Sequence, residues 1–298
     1  MLKFAKEHTN SYDFEVLIDK YPKLQPFVFK NTYGNLTIDF SEAKAVRALN
    51  TAVLKVDYQI NYWQFDDSNL TPPIPSRVAY IHLLKDLLLS SHLDENIKVL
   101  DIGTGANCIY PLLGQSIYNW QFVGTDVNKN SIKQAKKIIA KNQLEDKILI
   151  RFQNNPNQIF QGVLAKTDIF ALTMCNPPFY KDEVEANSAT LKKLKGLNQE
   201  TNNLSRNFSG ISNELWYKGG EKAFLHNYLY ESSLFKNQCF WYTTLVSNKE
   251  NVKSMYASLN KLGATTIKTL PINIGKKKSR VVAWTFLNED QQKQWKIK

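Results

Sequence analysis

The chain has 298 residues, 43% of them hydrophobic, and carries a formal net charge of +11 with a pI near 9.3. That length and apolar share suit one large globular domain or a medium domain with an accessory segment, and no apolar run approaches the ~18 residues of a membrane-spanning helix. The charge excess points toward a polyanionic partner.

Residues 1 to about 75 are mixed in character and rich in aromatics. A helix is expected over 41–54, with Ser41 as its cap and Glu42 and Lys44 in its first turn. Thr71-Pro72-Pro73-Ile74-Pro75 then stiffens the exit and ends any helix. This stretch reads as a small, mostly helical accessory segment, 1–75, ahead of a main domain, 76–298. Tyr80, Leu83, Leu84, Leu87 and Leu88 fall at helical spacing, the mark of an amphipathic helix packed on a core. From residue 97 strands alternate with helices. Strands are expected at 97–102, 121–126, 148–152, 168–175 and 239–246. Ile132, Ala135 and Ile139 mark a helix after the second strand. Further helices are expected at 221–235, burying Phe224, Leu225, Tyr228 and Leu229, and at 251–262. Two β-rich runs, 265–270 and 280–286, flank a basic turn. This alternation predicts an α/β fold, a doubly wound Rossmann-like parallel sheet closed by a final hairpin. A polar insertion of low regularity lies at about 180–217 and is long enough to serve function.

Cys108, Cys175 and Cys239 are far apart, with neither a Cys-x-x-Cys nor a zinc spacing, so they read as buried free thiols. His8, His82, His92 and His226 form no His-Glu-x-x-His, and no metal site is expected. The start, Met1-Leu2-Lys3-Phe4-Ala5-Lys6-Glu7, carries charge where a signal peptide needs its apolar centre, so a soluble cytoplasmic protein is expected.

In a doubly wound sheet, ligands bind beyond the carboxyl ends of the strands. Asp101 ends the first strand in Asp101-Ile102-Gly103-Thr104-Gly105-Ala106-Asn107-Cys108, and Gly103 and Gly105 let the backbone approach a ligand closely. Asp126 ends the second strand, where such sheets place an acid on ribose hydroxyls. A dinucleotide enzyme shares these features. However, Cys108 stands where the third glycine of G-x-G-x-x-G belongs, and hydride transfer has no use for Asn176-Pro177-Pro178-Phe179 at the end of the fourth strand. S-adenosylmethionine needs ribose and amino-acid contacts without a pyrophosphate cradle, and it fits better. Arg77, at the start of the first main-domain helix, is a candidate partner for the donor's carboxylate or for an RNA phosphate; a solvated arginine is the alternative.

The tetrapeptide 176–179 suits chemistry on an amino group attached to a flat ring. The Asn176 side-chain oxygen and the carbonyl of Pro177 accept hydrogen bonds from the amine. Pro177 and Pro178 fix the loop, and Phe179 offers a face for stacking. The exocyclic amine of adenine is a poor nucleophile, so positioning and electrostatics carry the catalysis and no strong base is needed. The target base must be unpaired or flipped out. Two basic clusters flank this site in sequence: Lys192, Lys193, Lys195 and Arg206 in the insertion, and Lys276, Lys277, Lys278 and Arg280 in or beside the closing hairpin turn. If the first hairpin strand runs parallel to the sheet, that turn opens on the catalytic edge and both clusters meet phosphates.

These residues resemble the bacterial ribosomal RNA large-subunit methyltransferase F family, which has a eukaryotic relative acting on small nuclear RNA and messenger RNA hairpins. The resemblance rests on Tyr12-Asp13-Phe14, Pro72-Pro73-Ile74-Pro75 with Arg77 and Tyr80-Ile81-His82, and DIGTGANCIYPLLG over 101–114. It continues in Cys175 with 176–179, Glu214-Leu215-Trp216, Gly219-Gly220-Glu221, Ser247, Ser279-Arg280 and Ala283-Trp284-Thr285-Phe286. It implies a class I methyltransferase fold and transfer of a methyl group from S-adenosylmethionine to adenine N6 of 23S rRNA, on the rRNA or a large-subunit precursor; the oligomeric state is left open, a monomer being favoured. It matches Arg77, Gly103 and Asp126 to donor contacts, 176–179 to the catalytic motif, and 192–195 to a lysine-bearing loop. The chain departs from the family at Ala5-Lys6-Glu7-His8-Thr9-Asn10-Ser11, where an arginine-rich arm is frequent, and at Asp126, where glutamate is frequent. Two rivals remain at this stage: methylation of a glutamine amide in a protein, which uses the same tetrapeptide, and a non-catalytic RNA-binding or ribosome-assembly protein.

Overall fold

The computed structural model describes residues 12–182, 184–185, 215–274 and 277–295, without the side chains of 273–274 and 277–278. At the N-terminal end, α1 (Phe14–Lys20) starts at Asp13, whose carboxylate accepts the Val16 N–H at 3.2 Å. A 3-10 turn, Pro22–Phe27, leads into an antiparallel pair, β1 (Val28–Lys30) and β2 (Leu36–Ile38). This hairpin was not expected from the mixed composition. Its turn is built by the Asn31 side chain, which accepts the N–H groups of Tyr33 at 2.9 Å and Asn35 at 3.0 Å.

Helix α2 (Ala43–Tyr58) follows, and the expected cap is corrected: the Ser41 hydroxyl donates to the Asp39 carboxylate at 2.5 Å instead of closing the helix. The helix also outlasts the expected end at residue 54, since no breaker intervenes before Gln59 turns left-handed at φ +58. Next comes α3 (Ile74–Leu89), with Arg77 in its first turn.

The remaining elements are β3 (Lys98–Ile102), α4 (Ile109–Tyr118), β4 (Gln121–Asp126), α5 (Lys129–Lys141), β5 (Ile148–Phe152), β6 (Phe170–Cys175), α6 (Gly220–Ser232), β7 (Cys239–Val246), α7 (Lys249–Leu262), β8 (Thr266–Ile274), β9 (Lys277–Thr285) and α8 (Glu289–Lys293). The seven-stranded sheet has the order β5-β4-β3-β6-β7-β9-β8. Strands β3 to β7 are mutually parallel, and β9 lies antiparallel between β7 and β8. The doubly wound α/β reading holds. The fourth strand starts later than expected because the Asp168 carboxylate is committed to a turn, accepting the Ala165 N–H at 2.8 Å and pairing with Arg151. The closing strands are longer than expected and draw Lys277 and Lys278 into β9.

Alternation along the strands feeds two apolar layers. Val99 and Leu172 face one, built with α2, α3, α4 and α5; Leu100 and Val123 face the other, built with α6 and α7. Leu49, Ala52 and Val53 of α2 belong to the same continuous core as Leu84 of α3 and Leu112 of α4. Buried hydroxyls tie the layers to the sheet centre. The Tyr80 hydroxyl meets Thr243 Oγ1 at 2.9 Å, Thr243 Oγ1 donates to the Thr173 carbonyl at 2.7 Å, and Thr173 Oγ1 meets the Tyr228 hydroxyl at 2.7 Å. Cys108, Cys175 and Cys239 are free and buried.

Candidate active site

Ile102 of β3 pairs with Thr125 of β4 on one side and Cys175 of β6 on the other. One step further along each strand, Asp126, Gly103 and Asn176 emerge as a row at the carboxyl edge. With strands ~4.8 Å apart, the backbones of Asp126 and Asn176 are about 10 Å from each other. Gly103 adopts φ +71, and its N–H donates to the Thr125 carbonyl at 2.9 Å. A Cβ there would meet nothing within 4 Å, so the requirement for glycine is the left-handed backbone alone. The Gly105 N–H donates to the Asp126 carboxylate at 2.9 Å, and the other carboxylate oxygen accepts the Asn128 N–H at 2.8 Å where α5 begins. Burial pushes the Asp126 carboxyl above the ordinary range against the pull of those amides.

Behind this row lies a set of buried polar atoms without partners. Both carboxylate oxygens of Asp101, the Thr104 hydroxyl and the Tyr110 hydroxyl make no hydrogen bond. Asp101 is 1% exposed. Burial first, then the Asp126 charge, lifts its carboxyl to about 7, with the nearby Thr104 hydroxyl and Arg77 guanidinium opposing. Burial likewise lifts the Tyr110 hydroxyl to about 12, against the Arg77 charge. The Arg77 guanidinium lies over the Tyr110 ring, 5.4 Å from its centroid. Buried polar atoms are almost always satisfied in folded proteins, so this cluster has the character of a receptor. An acid and a guanidinium side by side fit the ammonium and carboxylate of an amino-acid group. The expected donor residues Arg77, Asp101, Gly103, Gly105 and Asp126 are thus brought together. Thr104 and Tyr110 were given no role in the sequence, although both lie within the 101–114 string.

A second contribution was not legible: residues 61–70 are tied to Asn107, in the loop after β3, and to α5. The Trp63 indole N–H donates to the Asn107 carbonyl at 2.8 Å, and the Asn107 side chain donates to the Leu70 carbonyl at 3.3 Å. The Asp66 carboxylate accepts from Asn130 at 3.1 Å and from Gln134 at 3.0 Å on α5.

On the acceptor side Asn176 is half-buried, Pro177 buried, Pro178 half-buried, and Phe179 38% exposed. The loop is held by a strap. The N–H groups of Phe179 and Tyr180 both donate to the Leu215 carbonyl at 3.0 Å, and the Tyr217 N–H donates to the Tyr180 carbonyl at 3.0 Å. The strap continues through Gly219 and Gly220 into α6, whose Glu221 carboxylate is buried against the end of β7. There it accepts the Ser247 N–H at 2.6 Å, the Asn248 N–H at 3.1 Å and the Asn251 side-chain N–H at 2.7 Å. The Arg280 guanidinium donates to the Ser247 carbonyl at 3.0 Å. Short motifs scattered along the sequence, Leu215-Trp216, Gly219-Gly220-Glu221, Ser247 and Ser279-Arg280, are therefore one connected support for the tetrapeptide.

Lys192, Lys193, Lys195, Arg206 and Lys276 lie outside the described residues, and Lys277 and Lys278 are described by backbone alone. Because β8 runs parallel to β3–β7, the end of β8 at Ile274 and the start of β9 at Lys277 lie at the carboxyl edge of the sheet, the side on which 176–179 emerge. Among the described residues no cluster of three or more His, Cys, Asp or Glu side chains can hold a metal, and no helix is long and apolar enough to cross a membrane.

A family model described as RNA methyltransferase matches residues 2–288. The chain belongs to this RNA methyltransferase family. It is 45% identical over 299 residues to the ribosomal RNA large subunit methyltransferase F of Flavobacterium johnsoniae, covering 97% of this chain and 95% of that one. It is 43% identical over 315 residues to the protein of the same name from Shewanella loihica, covering 97% and 79%. Among solved structures, the catalytic domain of human METTL16 in complex with a 3′UTR hairpin aligns with a TM-score of 0.79 at 29% identity, over 94% of this chain and 93% of that one. The N-terminal domain of human METTL16 in complex with SAH aligns at 0.75 and 26%, over 95% and 97%.

Proposed function

We propose that this member of the RNA methyltransferase family transfers a methyl group from S-adenosylmethionine to the N6 amino group of one adenine in 23S rRNA. The observation that carries the proposal is the juxtaposition, across neighbouring strand ends, of the buried Asp101, Thr104 and Tyr110 polar groups, with Arg77 beside them, and Asn176-Pro177-Pro178-Phe179. The named relatives, two of them ribosomal RNA methyltransferases, support the choice of acceptor.

S-adenosylmethionine, when bound, supplies an electrophilic methyl group on a sulfonium. In this reading the Asp101 carboxylate receives its ammonium group, Arg77 its carboxylate, and Asp126 its ribose hydroxyls, with Gly103 and Gly105 keeping the floor of the site free of side chains. Asn176 Oδ1 and the Pro177 carbonyl accept the two N–H bonds of the adenine amine and favour a more tetrahedral nitrogen whose lone pair points along the site. Phe179 presents its exposed ring to the flipped base. These groups are preorganised by the strap and reorganise little during reaction, which is where an electrostatic contribution to rate arises. Lys192, Lys193, Lys195, Arg206, Lys276, Lys277, Lys278 and Arg280 are assigned to the phosphates around the base, and segment 1–75 to an accessory RNA-contacting role. The enzyme is assigned to the cytoplasm as a monomer acting on 23S rRNA or a large-subunit precursor, without a metal.

The test is incubation of the purified protein with methyl-labelled S-adenosylmethionine and 23S rRNA from cells lacking the gene. Label in N6-methyladenosine supports the assignment. Label in a glutamine of an added ribosomal or translation protein, with none in RNA, replaces it.

A further inference from the structure

Helix α5 (Lys129–Lys141) leaves the carboxyl edge three residues after Asp126. It buries Ile132, Ala135, Ile138 and Ile139 against the sheet. Its other side bears Lys129, Lys133, Lys136, Lys137 and Lys141, all exposed, and the helix contains no Asp or Glu. Among the described residues none of the five lies within 4 Å of a carboxylate. The acids nearest in the chain and fold are engaged elsewhere or lie past the helix end: Asp66 accepts from the amides of Asn130 and Gln134, Asp146 pairs with Lys147, and Glu145 follows in the same turn.

Folding alone does not explain this arrangement. Lys129, Lys133, Lys137 and Lys141 stand at successive four-residue spacing, so they form a row of like charges on one face, which weakens a helix. Lys129 is also the first helical residue, where the macrodipole disfavours a cation. Two members are steadied without being neutralised: Lys129 lies 5.3 Å from the centroid of the Phe152 ring, and Lys137 lies 5.9 Å from that of Tyr62. A self-repelling row of about 18 Å, at 1.5 Å per residue, is relieved by a line of negative charge of similar length.

We infer that the exposed lysine row of α5 is an RNA-backbone track that holds the strand or duplex flanking the target nucleotide. It runs from the donor edge of the sheet toward the opposite edge. This rests on the RNA substrate proposed above and adds a surface to it, distinct from the insertion and the hairpin turn. The row gives affinity without reading sequence, since ammonium–phosphate contacts carry no base information.

The test compares the full chain with a variant carrying Lys133→Gln, Lys136→Gln, Lys137→Gln and Lys141→Gln; Lys129 is kept because of its closeness to the donor site. Two transcripts are used, a minimal hairpin around the methylated adenine and a longer one with natural flanks on both sides. Binding of the longer transcript should lose about 3 to 4 from the slope of log K against log salt, at ~0.9 per phosphate neutralised on a duplex. Its affinity at 0.1 M salt should fall at least about tenfold. Affinity for S-adenosylmethionine and for the minimal hairpin should stay within about twofold, and a variant with four Lys→Arg changes should bind like wild type. An unchanged slope on the longer transcript overturns the inference, as does a loss seen with ribosomal particles but absent with naked RNA, which would assign the row to an acidic protein surface. Wild-type protein that binds neither transcript would instead overturn the RNA reading itself.

Discussion

Replacing Asp101 with asparagine should stabilise the ligand-free protein while removing much of its hold on the donor. The carboxyl is buried without a hydrogen-bond partner and lifted from 3.8 to about 7, with burial the leading cause. Between those two values the folded state binds more protons than the unfolded state, so stability falls as pH rises through this window. At roughly 1.4 kcal/mol per pH unit of displacement, ionised Asp101 costs the fold about 4 kcal/mol above pH 7 and nothing below about pH 4. Asparagine has nearly the same shape and no charge to desolvate, so Asp101→Asn recovers most of that energy only at the higher pH. For a chain of this length, with an unfolding entropy of roughly 2.1 cal/mol/K per residue, the gain corresponds to about 6 °C in Tm. The assay is urea or thermal unfolding of both proteins at pH 4.5 and pH 8.5, paired with calorimetric titration of S-adenosylmethionine. The variant should be the more stable protein by about 4 kcal/mol at pH 8.5 and by only about 1 kcal/mol at pH 4.5, where most of the cost is still absent. Its donor affinity should be about 10- to 100-fold weaker, the worth of one charge-assisted hydrogen bond. A variant no more stable than wild type at pH 8.5, or equally stabilised at both pH values, would refute the claim that this carboxylate is held in place for a ligand at the expense of the fold.

Other substitutions separate the remaining roles. Asn176→Ala should lower single-turnover methylation by about 1,000-fold, the scale of a lost oxyanion-type acceptor, while S-adenosylmethionine affinity measured by titration stays within twofold; lost donor binding with normal turnover per bound complex would remove Asn176 from catalysis. Substituting glutamine at Lys276, Lys277 and Lys278 should weaken RNA binding and flatten its salt dependence by ~0.9 for each phosphate no longer neutralised, and an unchanged slope returns these side chains to the solvated surface. Glu221→Ala should destabilise the protein by about 3 kcal/mol, because the Ser247, Asn248 and Asn251 donors lose their shared acceptor; chemical denaturation reads the loss. The same change should reduce kcat more than donor affinity, since the strap behind 176–179 loosens, and equal effects on both would place Glu221 outside the positioning of the acceptor.

How much of this was legible from sequence depended on the range of the interactions involved. Strands β5 and β7 were bounded correctly because their apolar runs stop at polar breaks, and Asp126 and Asn176 fell at strand ends for the same reason. Boundaries set by side-chain hydrogen bonds went astray. Ser41 has a cap residue's chemistry yet serves the Asp39 turn, and Asp168 has strand neighbours yet is drawn out by Ala165 and Arg151. The β1–β2 hairpin was concealed by strands of three residues each, too short to show alternation. At the site, the residues on adjacent strand ends could be placed from topology alone. The Trp63 contact to Asn107 and the Glu221 contacts to 247–251 join positions 44 and 26 or more residues apart. No local pattern encodes such pairings, so only the fold revealed the segment 61–70 bound beside the donor loop and the strap under the acceptor loop.

The most direct test of the central claim is mass-spectrometric nucleoside mapping of 23S rRNA from cells with and without this gene. The account predicts loss of N6-methyladenosine at a single position in the deletion strain, restored by the wild-type gene and not by Asn176→Ala. Unchanged 23S rRNA methylation in the deletion strain would contradict it.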